Sequence, residues 1–235
     1  MQLTLAIGQV APATPRAVVV RLDLGGAVVP FLAGQAVLMG RAGESERRPY
    51  SLAIAPADAR ATGTLELLVG LDAAGRVPSW LGPLAAGDRL EIDGPHGSFV
   101  LPESPEERRF LFVAGGTGIA PLRAMLHEAL SRPTTASCSV IYSARTAEEF
   151  AFGPELRALA AAGRITLWQT VTREVGAHWD GAKGRVALRH LRAMLHAEPT
   201  LCFLCGPHGL VREASLLLDE AGVSPDRIRV EDWGG

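Results

Sequence analysis

The hydrophobic period of this chain changes once, near Leu101, and that change limits the fold more than any other feature. Before it, apolar residues keep a two-residue rhythm: Leu65, Leu67 and Val69 alternate around Glu66 and Leu68, and Leu90 and Ile92 alternate with Arg89, Glu91 and Asp93. Successive side chains of a strand point to opposite faces. This rhythm, broken by Gly and Pro between runs, therefore predicts antiparallel strands forming a β-barrel. After Leu101, short apolar runs at 110–114, 138–142, 165–171, 200–205 and 228–230 read as strands. Between them, Ile119, Leu122, Leu126, Ala129 and Leu130 recur at helical spacing, as do Leu210, Ala214, Leu217, Leu218 and Ala221. Strands alternating with such helices make an α/β domain on an open parallel sheet. The charged, proline-punctuated stretch from Pro102 to Arg109 divides the two patterns, so the expected domains are residues 1–104 and 105–235.

A chain of 235 residues accommodates two such domains, and its 48% apolar and 20% charged residues suit a globular protein with a sizeable core. Twenty-three Lys and Arg against twenty-five Asp and Glu leave a net charge of −2, which builds in no broad attraction to nucleic acid or anionic membrane. The three cysteines, Cys138, Cys202 and Cys205, fall one short of a four-thiolate zinc or iron–sulfur site, and no metal site is expected. Cys202 and Cys205 lie in one expected strand at a spacing that turns them to opposite faces, which excludes a paired redox or metal motif. With no basic residue before Arg16 and no apolar stretch approaching the ~18 residues of a membrane span, a cytoplasmic protein without membrane insertion is expected.

The strongest local signal is Ala114-Gly115-Gly116-Thr117-Gly118-Ile119-Ala120-Pro121, directly after the strand FLFVA and at the start of a helix. Glycines there allow a tight turn and let a phosphate approach the backbone, while free N–H groups and the helix dipole favour the anion. The same glycines would equally serve tight strand-to-helix packing alone. The acidic residue that usually clamps the ribose hydroxyls about 20 residues later is missing. The second and third strands instead end in Tyr142-Ser143-Ala144-Arg145 and Val171-Thr172-Arg173-Glu174. Their hydroxyl and guanidinium groups suit a 2′-phosphate, although both arginines also read as solvated loop charges.

Taken together, Arg48-Pro49-Tyr50-Ser51, Gly94-Pro95-His96-Gly97-Ser98-Phe99, Gly115 to Pro121, Cys205-Gly206-Pro207 and Glu231-Asp232-Trp233, with Gly34-Gln35 ahead of them, resemble the ferredoxin–NADP reductase superfamily. The resemblance runs along nearly the whole chain in matching order and spacing. It implies a flavin-binding barrel followed by a domain for NADPH or NADH. By the same resemblance, Arg48 contacts flavin phosphate, Tyr50 lies against the isoalloxazine, and Ser51 sits near flavin N5, with Pro49 inside the motif. Gly75, Val77 and Ser79 match a segment that meets the flavin pyrophosphate, and Gly116, Thr117, Gly118, Pro121, Arg145, Thr172 and Arg173 fall on the dinucleotide side. Cys205, Gly206 and Pro207 would flank the nicotinamide, Cys205 positioning it rather than attacking it. Glu231 would organise that pocket, and Trp233 would cover the flavin until nicotinamide displaces it.

Two positions depart from the family pattern. Pro78 stands where a serine is usual, leaving Ser79 as an imperfect substitute, and Ile54 replaces a small hydroxyl residue. FAD is the expected flavin, with FMN as the alternative. The implied activity passes electrons from NAD(P)H through bound flavin to an external carrier protein such as a ferredoxin, a flavodoxin or an oxygenase component, because three cysteines exclude a plant-type cluster within this chain. The rivals are a reductase that uses flavin as a substrate and an electron-transfer component of a larger complex.

Overall fold

A computed structural model describes the chain from residue 1 to 235, apart from residues 73, 80, 134–136, 174–178, 196–197 and 233–235. The first half contains β1 (Gln2–Thr14), β2 (Ala17–Asp23), β3 (Ala36–Arg41), β4 (Arg48–Ser51), α1 (Pro56–Thr62), β5 (Thr64–Gly70) and β6 (Arg89–His96). The six strands form an antiparallel sheet in the order β4-β3-β6-β1-β2-β5. Its two edges meet just past β4, where Leu52 bridges Leu67 and Ala53 N–H donates to Glu66 O at 2.8 Å, so the sheet curls into a barrel.

The two-residue rhythm of β5 sorts its side chains as a strand must. Leu65, Leu67 and Val69 pack inside the barrel with Leu5, Ile7 and Leu90. The opposite face of β5 is also covered: Leu68 joins a second cluster that spans both halves, and Glu66 is buried beside it. The second domain takes the place that solvent has on most antiparallel sheets. The short helix α1 went unforeseen, since seven residues with two buried side chains carry little periodic signal.

The second half runs β7 (Arg109–Gly115), α2 (Ile119–Ser131), β8 (Ser137–Ala144), α3 (Gly153–Ala161), β9 (Thr166–Val171), β10 (Ala182–Lys183), α4 (Leu188–Met194), β11 (Thr200–Gly206), α5 (His208–Glu220) and β12 (Ile228–Asp232). The strands are parallel in the order β10-β9-β8-β7-β11-β12. The five expected strands are present, together with the two-residue β10, which was not expected. Chain order reverses at β7, with β8 on one side and β11 on the other, and open sheets bind ligands beyond the strand C-termini at such a point. All seven residues of β11 are buried, Leu201, Phe203 and Cys205 on one face and Cys202 and Leu204 on the other. Among the described residues, no helix is long and apolar enough to cross a membrane.

The halves share one core. Ala17, Val19, Ala33, Ala53, Leu68 and Phe99 of the barrel side pack against α2 and the parallel sheet, and the Phe203 ring contacts Phe99 edge-on at 5.9 Å and Phe112 at 5.6 Å. Gly34, with φ +105°, fits here because a Cβ would strike Phe99 O at 2.3 Å. The segment between the sheets is tied down: Arg132 donates to Pro102 O at 2.7 Å, and Arg227 pairs with Glu107 at 3.2 Å.

A chain of ion pairs crosses the same interface. Glu66 on β5 accepts from Arg21 at 2.7 Å and from Arg123 on α2 at 2.9 Å, and Arg123 also pairs with Glu155 on α3 at 2.7 Å. His127 reaches Glu155 at 2.8 Å. Arg123 further donates to the Ala53 carbonyl and lies 4.3 Å from the centre of the Phe152 ring.

Candidate functional site

A cleft of about 710 Å³ opens beyond the C-terminal edge of the parallel sheet. Its floor is the Gly115–Gly118 turn, and its sides are the ends of β8, β9 and β11 and, from the barrel, the β1–β2 turn and the end of β5. The glycines of the floor have separate jobs. A Cβ on Gly118 would lie 2.3 Å from Cys205 O, and one on Gly115 would lie 2.5 Å from a Leu210 methyl, so both allow close packing against β11 and α5. Gly116 differs, with φ +54° and open space where a side chain would stand. Its carbonyl accepts from the Tyr142 hydroxyl at 2.9 Å, which holds the turn from below. Tyr142 is fully buried, and burial pushes its phenol pKa up, so it stays a neutral donor.

Arg145, Thr172 and Arg173 line the cleft side by side, because Arg173 N–H donates to Arg145 O at 2.8 Å and Thr172 N–H to Ala144 O at 2.9 Å. Gly206 and Pro207 line it too. Pro121 does not: it is buried in the first turn of α2, where its fixed φ suits the helix start.

The barrel and the parallel sheet meet at a second point. Ser51, at the end of β4, donates its hydroxyl to Glu231 Oε2 at 3.2 Å, and the Cys205 thiol reaches the same oxygen at 3.9 Å. Strand pairing sets this up on the sheet side, since β11 and β12 align Cys205 with Glu231. Ser51 is only 6% exposed and Cys205 is fully buried, while Glu231 between them is half-buried. Tyr50 precedes Ser51, half-buried, and burial, partly offset by the Arg48 charge, pushes its phenol up to about 12. At neutral pH it presents an uncharged ring. Arg48 is exposed and pairs with Glu46 at 2.8 Å, with Pro49 between it and Tyr50.

Gly75, Val77 and Ser79 lie in the loop after β5, away from the cleft lining. Asp72 organises that loop, accepting from Ala74 N–H at 2.8 Å and Arg76 N–H at 2.9 Å. Trp233 lies outside the described residues. Sequence reasoning passed over Arg16, Glu149, Arg185 and Glu213, which also line the cleft. Single charges scattered over turns and helices carry no pattern that would single them out.

The residues present suit both nucleotides. A glycine turn open at Gly116 at the start of a helix and a wall with four arginines fit a dinucleotide, while a neutral Tyr50 ring beside the Ser51 hydroxyl fits a flavin ring.

Comparison with known proteins agrees. The oxidoreductase FAD-binding domain family matches residues 8–101, and the oxidoreductase NAD-binding domain family matches residues 112–215. A ferredoxin–NADP reductase B of Sorangium cellulosum is 32% identical over 215 residues, 86% of this chain and 85% of that protein. One component of the Na+-translocating NADH-quinone reductase of Pasteurella multocida is 30% identical over 168 residues, 68% of this chain, which spans only 41% of that component. Among solved structures, the cytochrome P450 reductase GcoB of Amycolatopsis superposes with a TM-score of 0.86 at 26% identity, over 100% of this chain and 70% of that one. With one half matched by the oxidoreductase FAD-binding domain family, the other by the oxidoreductase NAD-binding domain family, and one relative matched over 85% of its length, the chain belongs to the ferredoxin–NADP reductase superfamily.

Proposed function

We propose that this chain takes electrons from NAD(P)H at the Ser51–Glu231–Cys205 cluster and passes them to an external electron-carrier protein. The observation that carries the reading is that cluster itself: one carboxylate joins a barrel strand to two strands of the dinucleotide domain, at distances of 3.2 and 3.9 Å. FAD, when bound, supplies a centre that accepts a hydride and releases electrons singly. The Tyr50 face holds the flavin ring, and Arg48 exchanges Glu46 for a flavin phosphate. The Gly75, Val77 and Ser79 segment supports the pyrophosphate. Ser51 holds a hydrogen bond to the ring edge or to Glu231, so a proton at that edge has a partner in either state. Buried Cys205, with Gly206 and Pro207, sets the position of the nicotinamide, since hydride transfer needs close approach and exclusion of water. Gly116, Thr117 and Gly118 hold the dinucleotide phosphates, and Arg145, Thr172 and Arg173 favour a 2′-phosphate. We divide the two domains between residues 104 and 105.

An external protein acceptor is favoured because the Sorangium relative is a ferredoxin–NADP reductase and the Amycolatopsis neighbour a cytochrome P450 reductase. Anaerobic stopped-flow mixing with NADPH and with NADH tests the reading. Bleaching of bound flavin by one of them, followed by reoxidation with a ferredoxin or flavodoxin, supports it. A flavin that neither dinucleotide reduces overturns it. Use of flavin as a substrate is the second reading, favoured by the Arg48–Glu46 pair and by Pro78 at the usual serine position. A colourless protein that reduces added flavin would establish it instead.

A further inference from the structure

The barrel contributes a cation to the cleft. Arg16 stands at the β1–β2 turn, half-buried, and lines the cleft together with Gly70, Leu71 and the Gly115–Gly118 turn. Its backbone is held on both sides: its N–H donates to Thr14 Oγ1 at 3.1 Å, and its carbonyl accepts from Leu71 N–H at 2.7 Å. The next residue, Ala17, pairs with Gly70 across β2 and β5, and a Cβ on Gly70 would lie 3.9 Å from Thr117 Cγ2. The base of Arg16 is thus fixed beside the glycine turn of the other domain.

Charge on the cleft wall points the same way. Four arginines line it, Arg16, Arg145, Arg173 and Arg185, against two carboxylates, Glu149 and Glu213, and Arg185 pairs with Glu213. Arg145 and Arg173 stand together at the ends of β8 and β9. Among the described residues no carboxylate pairs with Arg16, so its guanidinium fork is available to an anion.

We infer that Arg16 grips the pyrophosphate of the bound dinucleotide from the barrel side, opposite the backbone N–H groups of the glycine turn. The inference rests on the reading of the cleft as the NAD(P)H site and adds to it a contact from the other domain. Backbone N–H groups at a helix start favour the pyrophosphate, and Arg16 is the cationic side chain rooted next to them. NADH and NADPH share that group, so the contact contributes equally to both. One phosphate-binding wall then belongs to each domain, so the dinucleotide bridges the barrel and the parallel sheet across the cleft.

The test compares Arg16→Gln, Arg16→Lys and Arg173→Ala with the parent, each loaded with FAD and titrated calorimetrically with NADPH and NADH. Losing one charge-assisted fork should weaken both dinucleotides about tenfold and to the same extent in Arg16→Gln. Arg16→Lys should regain part of the loss, FAD content and melting temperature should stay at the parent values, and Arg173→Ala should weaken NADPH alone. Parent-like titrations of Arg16→Gln, a loss confined to NADPH, or a loss of FAD in place of a weaker dinucleotide each overturn the assignment of Arg16. A parent that binds neither dinucleotide overturns the reading of the cleft, and the assignment with it.

Discussion

Replacing Arg123 by methionine should loosen the joint between the two domains in a way that can be sized from the contacts. The Arg123 side chain is 14% exposed and pairs with Glu66 at 2.9 Å and Glu155 at 2.7 Å. It also caps the Ala53 carbonyl and covers the Phe152 ring. Removing one partner of a buried pair costs about 3–5 kcal/mol when the other charge is left alone. Here Glu66 keeps Arg21 at 2.7 Å and Glu155 keeps His127 at 2.8 Å. The expected loss is therefore about 2–3 kcal/mol at pH 7. Acid should shrink that difference. Burial pushes the Glu155 carboxyl up, but the hydrogen bonds and charges of His127 and Arg123 outweigh it and bring the pKa from 4.5 down to about 2. A carboxyl lower in the folded state contributes stability that is fully present above about 4.5 and fades as pH falls toward 2. The parent should lose this share on acidification, whereas Arg123→Met has already lost most of it. Urea unfolding of both proteins at pH 7 and pH 3.5 reads the effect. A difference below about 0.5 kcal/mol at pH 7, within the range of an ordinary exposed pair, would refute the reasoning. So would a difference that does not narrow at pH 3.5. Ala53 is two residues beyond Ser51, so flavin reduction by NAD(P)H should also slow in the variant, in parallel with the lost stability.

Cys205→Ala should slow flavin reduction by NAD(P)H about tenfold in stopped flow while leaving FAD content unchanged, because the thiol borders Glu231 on the dinucleotide side; equal rates would leave it a packing residue. The purified protein should carry noncovalent FAD, seen by chromatography of the flavin released on denaturation, and Tyr50→Ala should lower its content; FMN alone would correct the identity of the flavin. Arg173→Ala should raise the apparent constant for NADPH and barely affect NADH, a preference of about 1–2 kcal/mol at most for an exposed charge; equal losses for both cofactors would return Arg173 to a solvated loop charge.

Much of the architecture was legible because each half keeps one period. From β7 onward the five longer strands follow from apolar runs and α2 and α5 from helical stripes, whereas the shorter α3, α4 and β10 were not read from any such pattern. In the barrel, β5 and β6 follow from two-residue alternation, but closure does not, because the Leu52–Leu67 bridge depends on pairing that no local pattern records. Glu66 shows the same limit. Alternation puts it on the outward face of β5, and only the docking of α2 turns that face into an interface and the glutamate into a buried ion-pair partner. The Ser51–Glu231 contact joins positions 180 residues apart, and only the family resemblance linked them in advance. Arg16 escaped notice because a single arginine on a turn acquires meaning only from what stands across the cleft.

The glycine turn shows how two readings of one motif can both hold, at different residues. Close packing accounts for Gly115 and Gly118, whose missing side chains let the start of α2 press against the end of β11. That contact fixes Gly118 against the backbone of Cys205, and the β11–β12 register then fixes Cys205 beside Glu231. Gly116 has no packing reason to lack a side chain, since nothing lies within 4 Å of where one would start, and its φ of +54° is a conformation that glycine adopts without strain. The same four-residue turn thus fixes the Cys205–Glu231 pair through its close packing and leaves Gly116 open toward the cleft. A shift of α2 relative to β11 would move the cleft floor and the Ser51–Glu231–Cys205 cluster at once, because Gly118 packs directly against the backbone of Cys205.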